Sequence, residues 1–152
     1  MTRIRGHEFP DDLLYAPQTM VWAQPLPDGC VAIGMSALGP ATAGEFLVFA
    51  ARPLGAWIDA GRAIGNVETA KTVSSVRTPI AGRIVAINDA VEANGELIGR
   101  APYEAWLVRL DPRREGGAAD PIAECLRAGD LLHGPAAMTA IEAQMALYRV
   151  GE

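Results

Sequence analysis

A chain of 152 residues with a formal charge of −5, half of it hydrophobic but only 6% aromatic, has the apolar material for one buried core. It has no electrostatic footprint for nucleic acid, because no basic stripe interleaved with aromatics occurs. No apolar run approaches the ~18 residues that argue for a membrane span, and residues 1–8 lack the apolar stretch of a secretory leader, so a cytoplasmic location is expected.

Residues 9–15 should lie against the body through Phe9, Leu13 and Tyr15. Residues 20–24 and 30–35 are two strand-like runs, and Pro25-Leu26-Pro27-Asp28-Gly29 between them carries turn chemistry, which predicts a hairpin. Ser36 can cap a helix that Gly39 and Pro40 keep brief. A strand is expected over 45–50, followed by a turn-rich link over 54–62 with one buried aromatic, Trp57.

The β-branched and alternating residues of 63–68 and 73–77 predict two further strands, with Lys71 at or near the tip between them. Thr78-Pro79-Ile80-Ala81-Gly82 breaks the pairing, and Gly82 is expected to supply a tight turn before a strand over 83–87. Residues 89–93 and 96–98 read as a short helical excursion, and 105–110 as a last strand. Many short strands at close spacing predict a mainly β sandwich or flattened barrel.

From Asp111 the texture changes. Residues 113–119 read as a linker, Asp120-Pro121 opens a helix over 122–128, and a second helix fits 136–150 with Met138, Ile141, Met145 and Tyr148 on one face. That methionine stripe reads as packing surface rather than a cofactor box. The expected organisation is a domain over 1–111, with 112–152 a linker and C-terminal helices packed on it.

Lys71 is the only lysine among 13 Lys+Arg residues. An amine can be acylated and become the root of a flexible arm, whereas a guanidinium stays charged and is a poor acyl acceptor. No paired carboxylate, nucleophile elbow or phosphate loop is present, so the chain does not read as an autonomous enzyme. Cys30 and Cys125 follow no C-x-x-C spacing and read as reduced thiols; His7 and His133 have no ligand-spaced companions.

The run Val67-Glu68-Thr69-Ala70-Lys71-Thr72-Val73 followed by Thr78-Pro79-Ile80-Ala81-Gly82 resembles the lipoylation segment of the H protein of the glycine cleavage system. Gly34-Met35-Ser36-Ala37-Leu38-Gly39 is similar to the start of that family's small helix. So is Asn94-Gly95-Glu96-Leu97-Ile98, with Pro102, Tyr103 and Trp106, to a later segment. The likeness covers approximately residues 9–110.

It implies a lipoyl/biotinyl-type hammerhead sandwich with short helices and a C-terminal helical tail. Lipoate would be covalently attached to Lys71, with Glu68 helping a lipoate ligase or other lipoylating enzyme recognise the tip and Gly82 shaping it. A biotin carrier shares the fold, but Ala70-Lys71-Thr72 lacks the Met-Lys-Met tip; an unmodified interaction module is the remaining rival.

Three departures bear on the subtype: Met20 stands where many H proteins carry histidine, Glu104 and Ala105 replace the glycine-rich Pro-Tyr segment, and the tail from Asp120 differs. With them the chain looks more like the lipoate-binding proteins of the sulfur-oxidising heterodisulfide-reductase-like pathway. That resemblance implies an arm carrying sulfur to a heterodisulfide-reductase-like complex. The alternative is an aminomethyl carrier working with glycine decarboxylase, aminomethyltransferase and dihydrolipoamide dehydrogenase.

Overall fold

The computed structural model describes residues 1–151. In chain order its strands are β1 (Thr2–Ile4), β2 (His7–Phe9), β3 (Leu14–Ala16), β4 (Val21–Pro25), β5 (Val31–Met35), β6 (Val48–Ala51), β7 (Trp57–Ile58), β8 (Ala63–Glu68), β9 (Val73–Arg77), β10 (Gly82–Ile87) and β11 (Trp106–Asp111). Helices are α1 (Leu38–Ala43), α2 (Asp89–Ala93), α3 (Leu97–Arg100), α4 (Pro121–Ala128) and α5 (Gly134–Leu147).

The strands form three antiparallel sheets: the β1–β2 hairpin, a six-stranded sheet in the order β3-β4-β5-β11-β10-β7, and a three-stranded sheet in the order β6-β8-β9. Side chains from the two larger sheets meet in one hydrophobic core, with Val21, Ile33, Ile84 and Leu107 from one and Phe49 and Val67 from the other. The protein is mainly β with an open rather than closed sheet, as expected of a sandwich.

The run from Val31 to Met35 is apolar without alternation because β5 is buried on both faces. The neighbouring β4 divides its residues by face. Val21 and Ala23 point into the sandwich core, while Trp22 points into a second hydrophobic cluster with Phe9, Tyr15, Leu38, Ile141 and Met145. The N-terminal hairpin and α5 thus cover the outer face of this end of the six-stranded sheet.

Several expected boundaries move. Helix α5 starts at Gly134 and ends at Leu147, and its buried face is Ala137, Ile141 and Met145; Met138 is half-buried and Tyr148 is 51% exposed, so the stripe stops one turn early. In the link before β8 the fully buried residue is Ile58, whereas Trp57 is half-buried, with the guanidinium groups of Arg83 and Arg114 5.9 and 4.7 Å from its ring centre. The indole keeps its polar edge near solvent, where its Nε1–H donates to Asp59. The strand expected over 45–50 begins only at Val48, and Ser36 stands one residue before the N-cap of α1, its Oγ accepting from the Leu38 amide at 3.3 Å.

Helix α4 is capped as its sequence predicts: the Asp120 carboxylate accepts from the Ala123 amide at 3.0 Å, with Pro121 in the first turn. Among the described residues no helix is long and apolar enough to cross a membrane.

Two phenols belong to the second cluster and its rim. Tyr15 donates to the Pro10 carbonyl at 2.6 Å, and Tyr103 donates to the Glu8 carbonyl at 2.6 Å while accepting from the Ala37 amide at 3.2 Å. Burial pushes both phenols up, Tyr15 strongly and Tyr103 to about 12. A folded-state pKa above the ordinary ~10 means that the neutral phenols stabilise the fold fully below that pH and lose the contribution as pH rises above it. Melting temperatures are therefore expected to fall between pH ~10 and ~12, and less steeply in Tyr103→Phe. Identical alkaline profiles for Tyr103→Phe and wild type would contradict this account.

Candidate functional site

Strands β8 and β9 pair in register from Asn66↔Ser75 to Glu68↔Val73, leaving Thr69-Ala70-Lys71-Thr72 as the turn. The Thr69 amide donates to the Thr72 carbonyl at 2.9 Å, and the Thr69 hydroxyl accepts from the Lys71 and Thr72 amides at 3.2 Å each. The Thr72 hydroxyl lies 3.3 Å from that of Thr69. A threonine thus folds its side chain into the turn it begins, which fixes the backbone under Lys71 without using the lysine side chain. Lys71 is exposed, and among the described residues it makes no ion pair.

Glu68 sits at the root of the turn, exposed on the outer face of the small sheet, directly opposite Val48 on one side and Val73 on the other. Those valines are themselves 42% and 64% exposed. Sequence reasoning missed both the valine flank and the threonine lock. The lock has a signal in the sequence, two hydroxyl residues bracketing the lysine at a turn.

Gly82 is not part of this tip. It opens β10, opposite Ile58, beyond the end of β9 that is remote from Lys71. Nor is its φ positive, so the expected tight-turn role is corrected. The residue must be small because a Cβ would stand 2.8 Å from the Leu110 Cβ and 3.0 Å from the Asp111 carbonyl oxygen. Gly82→Val is expected to destabilise the protein by about 1–3 kcal/mol through overpacking. Labelling of Lys71 in the folded variant by an amine-reactive ester should stay at the wild-type rate. An unchanged denaturation midpoint would refute the steric reading, and slowed labelling would restore a role at the tip.

A groove of about 360 Å³ runs beside the hairpin, its walls including Met20, Thr42, Phe46, Ser75, Arg77 and Tyr148. Met20 adopts a left-handed backbone with φ 64°, and its sulfur accepts from the Thr42 hydroxyl at 3.1 Å. Among the described residues Arg77 is the one charged group lining the groove, and no carboxylate faces it. A larger cleft of about 590 Å³, bounded by Gly61, Pro79, Asp130 and Gln144 among others, lies between the sandwich and the C-terminal helices.

Of the sequence departures, Met20 lies in the groove, whereas Glu104 and Ala105 do not line it. Ala105 is instead buried in the sandwich core.

The cysteines stand apart from this site. Cys30 is buried and Cys125 half-buried, and burial, followed by nearby carboxylates, raises both thiols above their ordinary range. Among the described residues no His/Cys/Asp/Glu group of three could hold a metal ion.

The site is thus an exposed lysine on a hairpin turn of the three-stranded sheet, in a β-sandwich carrier-type fold with short helices before the last strand. The family described as Glycine cleavage H-protein matches residues 13–124, and the chain belongs to that family.

Among its relatives is the "Probable glycine cleavage system H protein 3" of Saccharolobus solfataricus, 33% identical over 71% of this chain and 77% of the relative. The "Glycine cleavage system H protein 5" of Aquifex aeolicus is 26% identical over 87% of this chain and 92% of its own length. A crystal structure of a glycine cleavage system H protein from Mycobacterium marinum superposes with a TM-score of 0.63 at 28% identity, covering 80% of this chain and 99% of that one.

Proposed function

We propose that this protein is a lipoylated carrier subunit, not an enzyme, with lipoate in amide linkage to Lys71. The observation that carries the reading is a single lysine, exposed on a turn whose backbone is held by Thr69 rather than by the lysine itself. The residues present fit the group: the amine is free to be acylated, and an uncharged stretch of groove lies along the strand that leads away from it. Lipoate would supply a dithiol–disulfide couple able to carry a group on sulfur.

The chain's own residues do the rest. Thr69 and Thr72 fix where the arm is rooted, Glu68 marks the tip for a lipoylating enzyme, and the groove offers shelter between encounters. Residues 1–111 form the carrier domain in this reading, with 112–152 as its linker and helical cover, and the protein works in the cytoplasm.

The cargo most in keeping with the family is an aminomethyl group, passed among glycine decarboxylase, aminomethyltransferase and dihydrolipoamide dehydrogenase. Relatives named as glycine cleavage H proteins support this over carriage of sulfur.

One observation favours the second reading, sulfur oxidation with a heterodisulfide-reductase-like complex. The groove beside the tip is lined by the Met20 thioether and Arg77 but by no carboxylate among the described residues, so a cationic load finds no counter-ion there, whereas Arg77, whose Nη1 donates to the Gly61 carbonyl at 3.0 Å, has further N–H groups for an anionic sulfur terminus.

Intact-mass measurement of protein from its host tests the carrier reading: a lipoyl increment is expected, a biotinyl increment redirects it, and an unmodified chain overturns it. Parallel assays of the loaded protein then separate the cargoes. Glycine-dependent loading is expected; sulfane-sulfur transfer to the reductase-like complex without glycine-dependent loading would reverse the order of the two.

A further inference from the structure

The family match ends at residue 124, yet one wall of the groove beside Lys71 comes from Tyr148, far beyond it. Helix α5 reaches that wall because Ala137, Ile141 and Met145 anchor it on the outer face of the six-stranded sheet.

Its end is held by several bonds at once. The Val150 amide donates to the Met145 carbonyl at 2.9 Å and the Arg149 amide to the Ala146 carbonyl at 3.2 Å, a helix-terminating reversal in which Arg149 takes φ 56°. Helix α4 makes the same reversal with a glycine, Gly129 at φ 80°. An arginine in that conformation is strained, and the surroundings hold it there. Val150 is buried, its carbonyl accepts from Arg5 Nη1 at 2.8 Å, and Arg5 Nε pairs with Glu142 at 3.0 Å.

The effect of this anchoring is to hold Tyr148 half exposed at the groove. The other two tyrosines spend their hydroxyls on backbone carbonyls, while Tyr148 lines the same groove as Met20, Thr42, Phe46 and Arg77. Ser74 and Ser75, which also line the groove, follow Lys71 by three and four residues, so they lie at most about 10–14 Å from it along the chain. That distance is within the span of a lysine side chain lengthened by a lipoyl group.

Resting on the reading that Lys71 is lipoylated, we propose that Tyr148 is a positioning residue for the arm, an aromatic wall supplied by the tail against which the aliphatic chain and its sulfur end lie when the arm is folded into the groove. Aromatic faces suit both parts of such an arm, the methylenes by apolar contact and the polarizable sulfur by its affinity for rings. The tail thereby sets how long the arm stays sheltered, through a residue the rest of the family-matched chain does not provide.

The test uses full-length protein, with and without lipoate on Lys71, carrying isotope-labelled tyrosine. Lipoylation should move the ring resonances of Tyr148 and leave those of Tyr15 and Tyr103 in place. In Tyr148→Ala, alkylation of the reduced arm by a small haloacetamide should be about two- to tenfold faster, the factor expected when one aromatic ring is taken from the groove wall. Tyr148→Phe should behave as wild type, and melting temperatures should agree across the three proteins.

A Tyr148 resonance indifferent to lipoylation, together with equal alkylation rates in wild type and Tyr148→Ala, would overturn the inference alone. A wild-type chain that acquires no lipoyl mass increment overturns the underlying reading, and the inference with it.

Discussion

Lys71→Arg is expected to give a protein that takes up no lipoate and carries nothing between partners, yet melts with the wild type. The first half follows from chemistry: arginine keeps the charge and length but presents no acylable amine, and the chain has no second lysine to substitute. The second half follows from geometry. The turn is closed by Thr69 and Thr72 through backbone and hydroxyl contacts that do not involve the lysine side chain, which is exposed. Exposed substitutions of this kind change stability by less than about 0.5 kcal/mol. Intact mass and an anti-lipoate blot read the first effect, and a denaturation curve reads the second; a lipoylated Lys71→Arg protein would end the assignment.

Trp22→Ala should have the largest effect on stability. The side chain is 1% exposed, fills the centre of the second cluster, and donates from Nε1 to the Pro102 carbonyl. The sheet is shaped around it: a Cβ on Gly34, the residue opposite on β5, would fall 2.3 Å from the indole ring. Removing a buried tryptophan costs about 3–5 kcal/mol, which is a large share of the ~5–15 kcal/mol by which domains are stable. It also leaves the Pro102 carbonyl without its donor. Urea denaturation measures this directly, and a loss below about 1 kcal/mol would show that the cluster closes over the gap.

The hairpin was legible because its strands are short, β-branched and bounded by a turn, so Ala63–Glu68 and Val73–Arg77 could be read from local pattern alone. Local pattern fails where the deciding contact is distant. Gly82 looked like a turn glycine because it follows Pro79, but the atoms that require it belong to Leu110 and Asp111. Trp57 looks like a core aromatic because it is large and apolar, but it is only half-buried, with two arginines from β10 and the later linker against its ring.

Along α5 the three-and-four spacing correctly found Ile141 and Met145. It wrongly added Tyr148 to the buried face, since the cluster beneath ends before the helix does. The groove could not be read at all, because its walls are gathered from positions as far apart as 18 and 148.

The hydrogen bonds that fasten the end of α5 join residues 145 and 137 positions apart, Arg5 to Val150 and to Glu142, whereas the β8–β9 hairpin closes over pairs such as Glu68 and Val73. Nearby pairs meet quickly and distant ones slowly, and a chain made from its N-terminus cannot form the distant ones until residues 142–150 have emerged. The contacts that close the hairpin can therefore form before those that seat Tyr148. On the proposed reading, a ligase that recognises the hairpin by its own strands is expected to act on chains in which residues 142–150 are not yet in place, and sheltering of the arm by Tyr148 is expected only afterwards.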